Sequence, residues 1–167
     1  MKKPINIALY FAVFLWMAVI FSFSAQSGME VENLIGPIIR KIVEIIAPEF
    51  VQMPLARQEV ITSIFLLIAS KAAHIIIYLV LGALCTLALY RSPRVTNGHL
   101  FKALAICITY AVTDEFHQLF VSGRSGRFFD IGFDFFGALI GILLVILTRS
   151  IRSHQSVERE LNAKNLT

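Results

Sequence analysis

Aspartate is nearly absent from this chain: three occur in 167 residues, Asp114, Asp130 and Asp134. Charge as a whole is thin, at 16% of residues against 57% hydrophobic, and the apolar residues come in long blocks. That balance excludes an ordinary soluble domain and describes an integral membrane protein. The length suits one compact bundle and excludes a bundle plus a soluble domain. Cysteine is limited to Cys85 and Cys107, both inside apolar stretches and without metal-ligand spacing. A thiolate metal centre and a disulfide framework are therefore excluded, and both residues read as small core- or lipid-facing side chains. No phosphate-binding loop is present, so the string Asp114-Glu115-Phe116-His117 is no helicase box; without two histidines four apart it is no zincin motif either. A net charge of +4 would suggest nucleic acid in a soluble protein. Here the basic residues flank apolar spans, so topology accounts for them and no nucleic-acid partner is expected.

The apolar blocks predict four transmembrane helices, at 5–25, 71–90, 100–120 and 128–148. Each has roughly the 20 residues that cross about 30 Å of hydrocarbon. A secretory signal peptide is the rival reading of the first block. Its apolar stretch exceeds the roughly 7–15 residues of such a segment, so an uncleaved helix is expected. Lys2, Lys3, Arg91, Arg94, Lys102, Arg149, Arg152, Arg159 and Lys164 flank one side. On the other side Arg40, Lys41, Arg57, Arg124 and Arg127 are offset by Glu30, Glu32, Glu44, Glu49 and Glu59. The excess of basic residues on the first side places both termini in the cytoplasm.

Residues 28–70 form a long outer segment. Val31, Leu34, Ile35, Ile38, Ile42, Ile45 and Ile46 recur at helical spacing, which predicts an amphipathic interfacial helix that Pro48 and Pro54 end. The apolar stretch 60–69 is too short to cross alone and predicts a re-entrant or surface helix. The expected fold is thus an all-α, four-helix membrane bundle over residues 1–150, with an extracytoplasmic segment between its first two spans. A polar cytoplasmic tail over 151–167 has no core and is expected to fray.

Four polar clusters interrupt the apolar pattern at one membrane face: Ser22 to Ser27, then Lys71 with His74 and Tyr78, then Asp114 to Gln118, and finally Arg124 to Asp134. Ionisable groups at that depth cost several kcal/mol unless paired or hydrated, so they mark function by default. Lys71, His74 and Tyr78 share one helical stripe. Asp114, His117 and Gln118 share a face, with Glu115 about 100° round; carboxylates beside an imidazole suit acid–base work. Arg124 and Arg127 offer planar forks for phosphate or carboxylate, and Gly137 and Gly141 continue the face of Asp130 and Asp134 so that a helix can approach closely. The structural alternatives are an interfacial anchor for Lys71, a buried network tying helices for Asp114 to Gln118, and internal ion pairs for the arginines.

These clusters resemble the VanZ-like membrane protein family. The matching pieces are Phe21-Ser22-Phe23-Ser24-Ala25-Gln26-Ser27-Gly28, Lys71-x-x-His74-x-x-x-Tyr78, Asp114-Glu115-x-His117-Gln118-x-Phe120, and Gly123-Arg124-x-Gly126-x-x-x-Asp130 with Asp134 and Gly137. The family takes its name from a factor associated with glycopeptide resistance, teicoplanin in particular. The resemblance implies a bacterial inner-membrane protein acting at the cell envelope, and it carries no catalytic assignment.

Three functional classes follow. The first is an enzyme on a lipid-linked, anionic envelope substrate. There His117 would be the acid or base, oriented by Asp114 or Glu115, with His74 and Lys71 in the catalytic set. Arg124, Arg127, Asp130, Asp134, Gln118, Ser24, Gln26 and Tyr78 would line the substrate. No cofactor is expected, and a metal held by His74, His117 and the carboxylates fits less well beside three basic residues. The second class is a binding protein for an envelope lipid or a lipophilic glycopeptide, and the third a scaffold subunit. Membrane lipids are the expected partners.

Overall fold

Between Pro54 and Gly82 the chain holds neither proline nor glycine, and over that stretch it never leaves the helix. The structure, a computed structural model, describes residues 7–89, 97–124 and 128–164. It shows α1 (Ile7–Ser24), α2 (Gly28–Ile46), a short 3-10 helix (Pro48–Gln52), α3 (Leu55–Leu89), α4 (Asn97–Gln118) and α5 (Phe128–Lys164), with no strand among the described residues. The expected all-α class is found. The expected break between 60–69 and 71–90 is not, because both belong to α3, 35 residues and about 52 Å long at 1.5 Å per residue. With no breaker near Ser70, continuing the backbone ladder avoids unpaired amides among apolar side chains.

Three helices, α1, α3 and α5 over Phe128–Arg152, are long and apolar enough to cross a membrane. α4 has 22 residues, but Asn97, His99 and Lys102 crowd one end and Asp114, Glu115, His117 and Gln118 the other. Its apolar middle is short, so composition alone supports three spans rather than four. α5 also continues past Arg152 to Lys164, where the sequence predicted a frayed tail. Extending a formed helix fixes one residue per added bond, so propagation needs no core of its own.

α3 and α5 run in parallel with α4 returning beside both, and small residues set how closely they cross. A Cβ at Gly137 would overlap the Ile75 carbonyl, one at Gly141 the Leu79 carbonyl, and one at Gly82 the Ala138 carbonyl. Absent side chains let the two backbones touch, which is how helices associate where lipid offers no hydrophobic drive. Around this crossing lie buried Tyr78, Leu81, Cys85, Cys107, Ala138 and Ile142. Trp16 Nε1 donates to the Ile77 carbonyl at 2.8 Å and the Tyr110 hydroxyl to the Met17 carbonyl at 2.6 Å, which tie α1 to α3 and α4. Phe11, Phe14, Phe101, Phe136 and Leu147 face outward, as a lipid-facing surface requires.

α2 and the first half of α3 form a helical hairpin that extends beyond the bundle. Buried Gln58 holds its tip: it accepts from Arg40 and donates to the carbonyls of Val51 (3.2 Å) and Met53 (2.8 Å). Phe50 and Val43 are buried beneath it. The base of the hairpin is fixed at Gly28, whose N–H donates to the Ser122 carbonyl at 3.1 Å. A Cβ at Gly28 would overlap the Gly123 carbonyl, and Gly123 itself takes φ +71°, a left-handed conformation that favours glycine.

Candidate functional site

The C-terminal ends of α1 and α4, the N-terminal end of α5 and the middle of α3 meet at one level, below the α2–α3 hairpin. Helical periodicity aims Lys71 and His74 of α3 at Asp130 and Asp134 of α5, each set separated by one turn. Lys71 Nζ forms an ion pair with Asp130 Oδ1. His74 Nδ1 lies 2.8 Å from Asp134 Oδ1, a hydrogen bond in which the histidine tautomer sets which atom donates. Asp134 is 1% exposed and His74 6%. Removing either partner of such a pair leaves a buried polar or charged group uncompensated, at a cost of about 3–5 kcal/mol.

A second polar network joins α1 to α4. Ser24 Oγ donates to Asp114 Oδ2 at 2.8 Å, and Gln118 Nε2 reaches Ser24 Oγ at 3.2 Å and Asp114 Oδ2 at 3.3 Å. Ser24, Asp114 and Gln118 are all buried. Arg124 closes the C-terminal end of α1: its Nε donates to the Gln26 carbonyl at 3.1 Å and a terminal nitrogen to the Phe23 carbonyl at 3.2 Å. Carbonyls past a helix end have no intrahelical partner, so a guanidinium there both caps and complements the helix dipole.

Two cavities open between the hairpin and this floor. One of about 390 Å³ is lined by polar Glu32, Ser63, Ser70, Lys71, Arg124 and Asp130. The other, about 260 Å³, is lined mainly by apolar residues, among them Phe23, Leu34, Ile35, Ala73 and Ile77, with Ser24 and Gln26 also in its lining. Val31, Leu66, Ser70, His74, Gln118 and Arg124 line both. The two are therefore adjoining chambers, with His74 and Arg124 at their junction.

Not every expected residue enters them. His117 lines neither cavity; its ring stands 4.5 Å from that of Phe21, and its Nε2 is buried without a hydrogen-bond partner among the described residues. Glu115 lines a separate cavity of about 80 Å³ between α4 and α5, yet a carboxylate oxygen comes within 4.8 Å of ligand atoms of His74 and Asp134. Tyr78 is fully buried one turn below His74. Arg127 lies outside the described residues. Conversely Glu32, Ser63 and Ser70 line the polar cavity without having been singled out in the sequence. Ser63, Ser70 and His74 share one face of α3, a signal hidden when 60–69 is read as a separate element.

The VanZ/LLP1 family model matches residues 9–149. Among curated proteins and solved structures nothing matches the chain.

Proposed function

This chain belongs to the VanZ/LLP1 family, and we propose that it acts at the cell envelope on an amphiphile whose anionic head enters the polar cavity while its tail lies in the apolar one. The junction of the two cavities carries this reading. An amphiphile needs adjoining polar and apolar chambers, and Val31, Leu66, Ser70, His74, Gln118 and Arg124 belong to both. Two N–H groups of Arg124 serve backbone carbonyls. No other acceptor takes its remaining N–H groups among the described residues, so they are available to a phosphate or carboxylate. Lys71 can exchange Asp130 for a ligand anion. His74, held in orientation by Asp134, stands where head and tail join and is the side chain we assign to the chemistry. That role moves from His117, which faces Phe21 instead of a cavity.

Four crossings of the bacterial inner membrane belong to the same proposal. α4 is 22 residues, about 33 Å at 1.5 Å per residue, and runs back between α3 and α5. The charge asymmetry of the loops then supports an outward site with cytoplasmic termini. An outward lipid site is one through which glycopeptide susceptibility of the teicoplanin type would change.

A binding protein that screens an envelope lipid or lipophilic antibiotic is the second reading, favoured by the largely apolar second chamber. Incubating purified protein with total envelope lipid, followed by mass spectrometry, separates the two. The enzyme reading expects a changed lipid species, and a turnover that falls by about 100-fold in His74→Gln with ligand retained, the scale of a positioned catalytic side chain. His117→Gln should stay near wild type, and Arg124→Lys should weaken binding at equal protein abundance. Retention of a lipid without any change in it assigns the protein to binding.

A further inference from the structure

α3 is apolar for longer than a bilayer is thick. From Val60 to Leu89 its only Asp, Glu, Lys or Arg is Lys71, which is paired with Asp130. That stretch extends about 45 Å at 1.5 Å per residue, against about 30 Å of hydrocarbon. A helix with such a surplus tilts so that more of it stays among acyl chains. The exposed faces of the hairpin agree. Val60, Ile64, Leu67 and Ile68 are each at least half exposed. They lie on the side of α3 opposite Gln58 and Leu66, which face α2. The i, i+4 ladder from Val60 continues through exposed Ala72 to exposed Ile76, so the stripe joins the lipid-facing wall of the bundle. α2 shows the reverse: its outer side carries Asn33, Pro37, Lys41 and the Arg40–Glu44 ion pair at 3.6 Å, a face suited to water.

We propose that the hairpin lies along the membrane leaflet at its end of the bundle, α3 against acyl chains and α2 toward water, and that the apolar chamber opens sideways into that leaflet and takes a lipid tail from it. The mouth of the chamber supports this separately from the hairpin's faces. Three helices contribute exposed apolar residues to its lining: Phe23 of α1 (54%), Leu34 of α2 (64%) and Ala73 of α3. Exposed Ile38 and Ile45 extend that rim along α2. The polar chamber differs, since exposed Glu32 and Ser63 are in its lining. Leu34 and Glu32 point about 160° apart on α2 at 3.6 residues per turn, so the two mouths lie on opposite flanks of the hairpin.

A second copy of the chain is the other cover that an apolar stripe can find. Lipid is favoured because the stripe on α3 runs without a break into a wall that acyl chains already cover. A tail that enters between Phe23 and Leu34 needs no exposure to water on its way, and its head then meets Lys71 and Arg124 beneath the hairpin. The route of the tail rests on the amphiphile reading of the two chambers; the placement of the hairpin does not.

The test uses full-length protein carrying a nitroxide on single introduced cysteines, in vesicles of phosphatidylethanolamine and phosphatidylglycerol. The parent protein, whose Cys85 and Cys107 are buried, is the labelling control. Relaxation of the label by oxygen, which concentrates in hydrocarbon, is compared with relaxation by a water-soluble nickel chelate. Ile64→Cys and Leu34→Cys should respond more to oxygen, and Lys41→Cys more to nickel. A label at Ile64 that responds more to nickel overturns the placement. One shielded from both reagents assigns that face to a second copy and overturns it too. Nickel access at Leu34 beside oxygen access at Ile64 overturns the sideways mouth alone. The tail's route is read from the phosphatidylglycerol that purified protein retains. Ala73→Trp, which sets an indole in the mouth, should lose most of it, and Ile64→Trp should retain as much as wild type. Equal retention in Ala73→Trp overturns the route. If wild type retains none while the labels respond as expected, the amphiphile reading and the route fail together and the placement of the hairpin stands.

Discussion

Ser27 closes the turn between α1 and α2 through two groups. Its hydroxyl accepts from the Glu30 N–H at 3.2 Å, while its own N–H donates to Glu30 Oε2 at 2.7 Å, a reciprocal capping box. The backbone N–H, then the hydroxyl, hold the Glu30 carboxyl below its ordinary value of 4.5. A depressed folded value means that the stabilisation is present above 4.5 and is lost as pH falls through the lower, folded value. Hydrogen exchange, corrected for its intrinsic pH dependence, should therefore show the first turn of α2 losing protection in acid. Glu30→Gln should flatten that dependence, and an unchanged profile would remove Glu30 from the cap. At this scale the sequence was partly legible. Spacing alone placed Lys71, His74 and Tyr78 on one stripe, because i, i+3 and i+7 share a face in any helix. The same rule grouped His117 with Asp114, but how far α4 rotates against its neighbours is not a property of α4, and the structure seats His117 on Phe21.

Among the elements, the α3–α5 pair determines how the site is assembled. Gly141→Ala would set a Cβ on the Leu79 carbonyl, whereas at Gly132, on the same helix, a Cβ meets nothing within 4 Å. Overpacking of this kind costs about 1–3 kcal/mol, while an unobstructed Gly→Ala in a helix gains up to about 1 kcal/mol. Thermal unfolding in detergent should thus rank Gly141→Ala below wild type and Gly132→Ala at or above it; equal midpoints would mean that α3 and α5 do not cross at Gly141. The GxxxG spacing of Gly137 and Gly141 was visible in the sequence, and so was the amphipathic stripe of α2. The continuity of α3 was not read, because hydropathy divides 60–69 from 71–90 at Lys71 while the backbone meets no breaker there.

For the whole molecule, topology is the first measurement. Reporter fusions after Ser92 and Asn162 should report the cytoplasm and one after Met53 the outside; a cytoplasmic signal at Met53 would remove the outward site and the fourth crossing together. The sequence by itself determined that this is a helical membrane protein of the VanZ/LLP1 family, and that its few acids and bases fall in clusters that interrupt apolar segments. Composition and periodicity suffice for this, because each is a property of a single segment set against lipid or water. Only the tertiary structure decided that Lys71 meets Asp130 and His74 meets Asp134, that Arg124 caps α1, and that a polar and an apolar chamber share a wall. Such pairings depend on the rotation and translation of one helix against another. Those are set by the close approach at Gly82, Gly137 and Gly141 and by the hairpin that Gln58 and Gly28 hold in place, which no single segment's pattern contains.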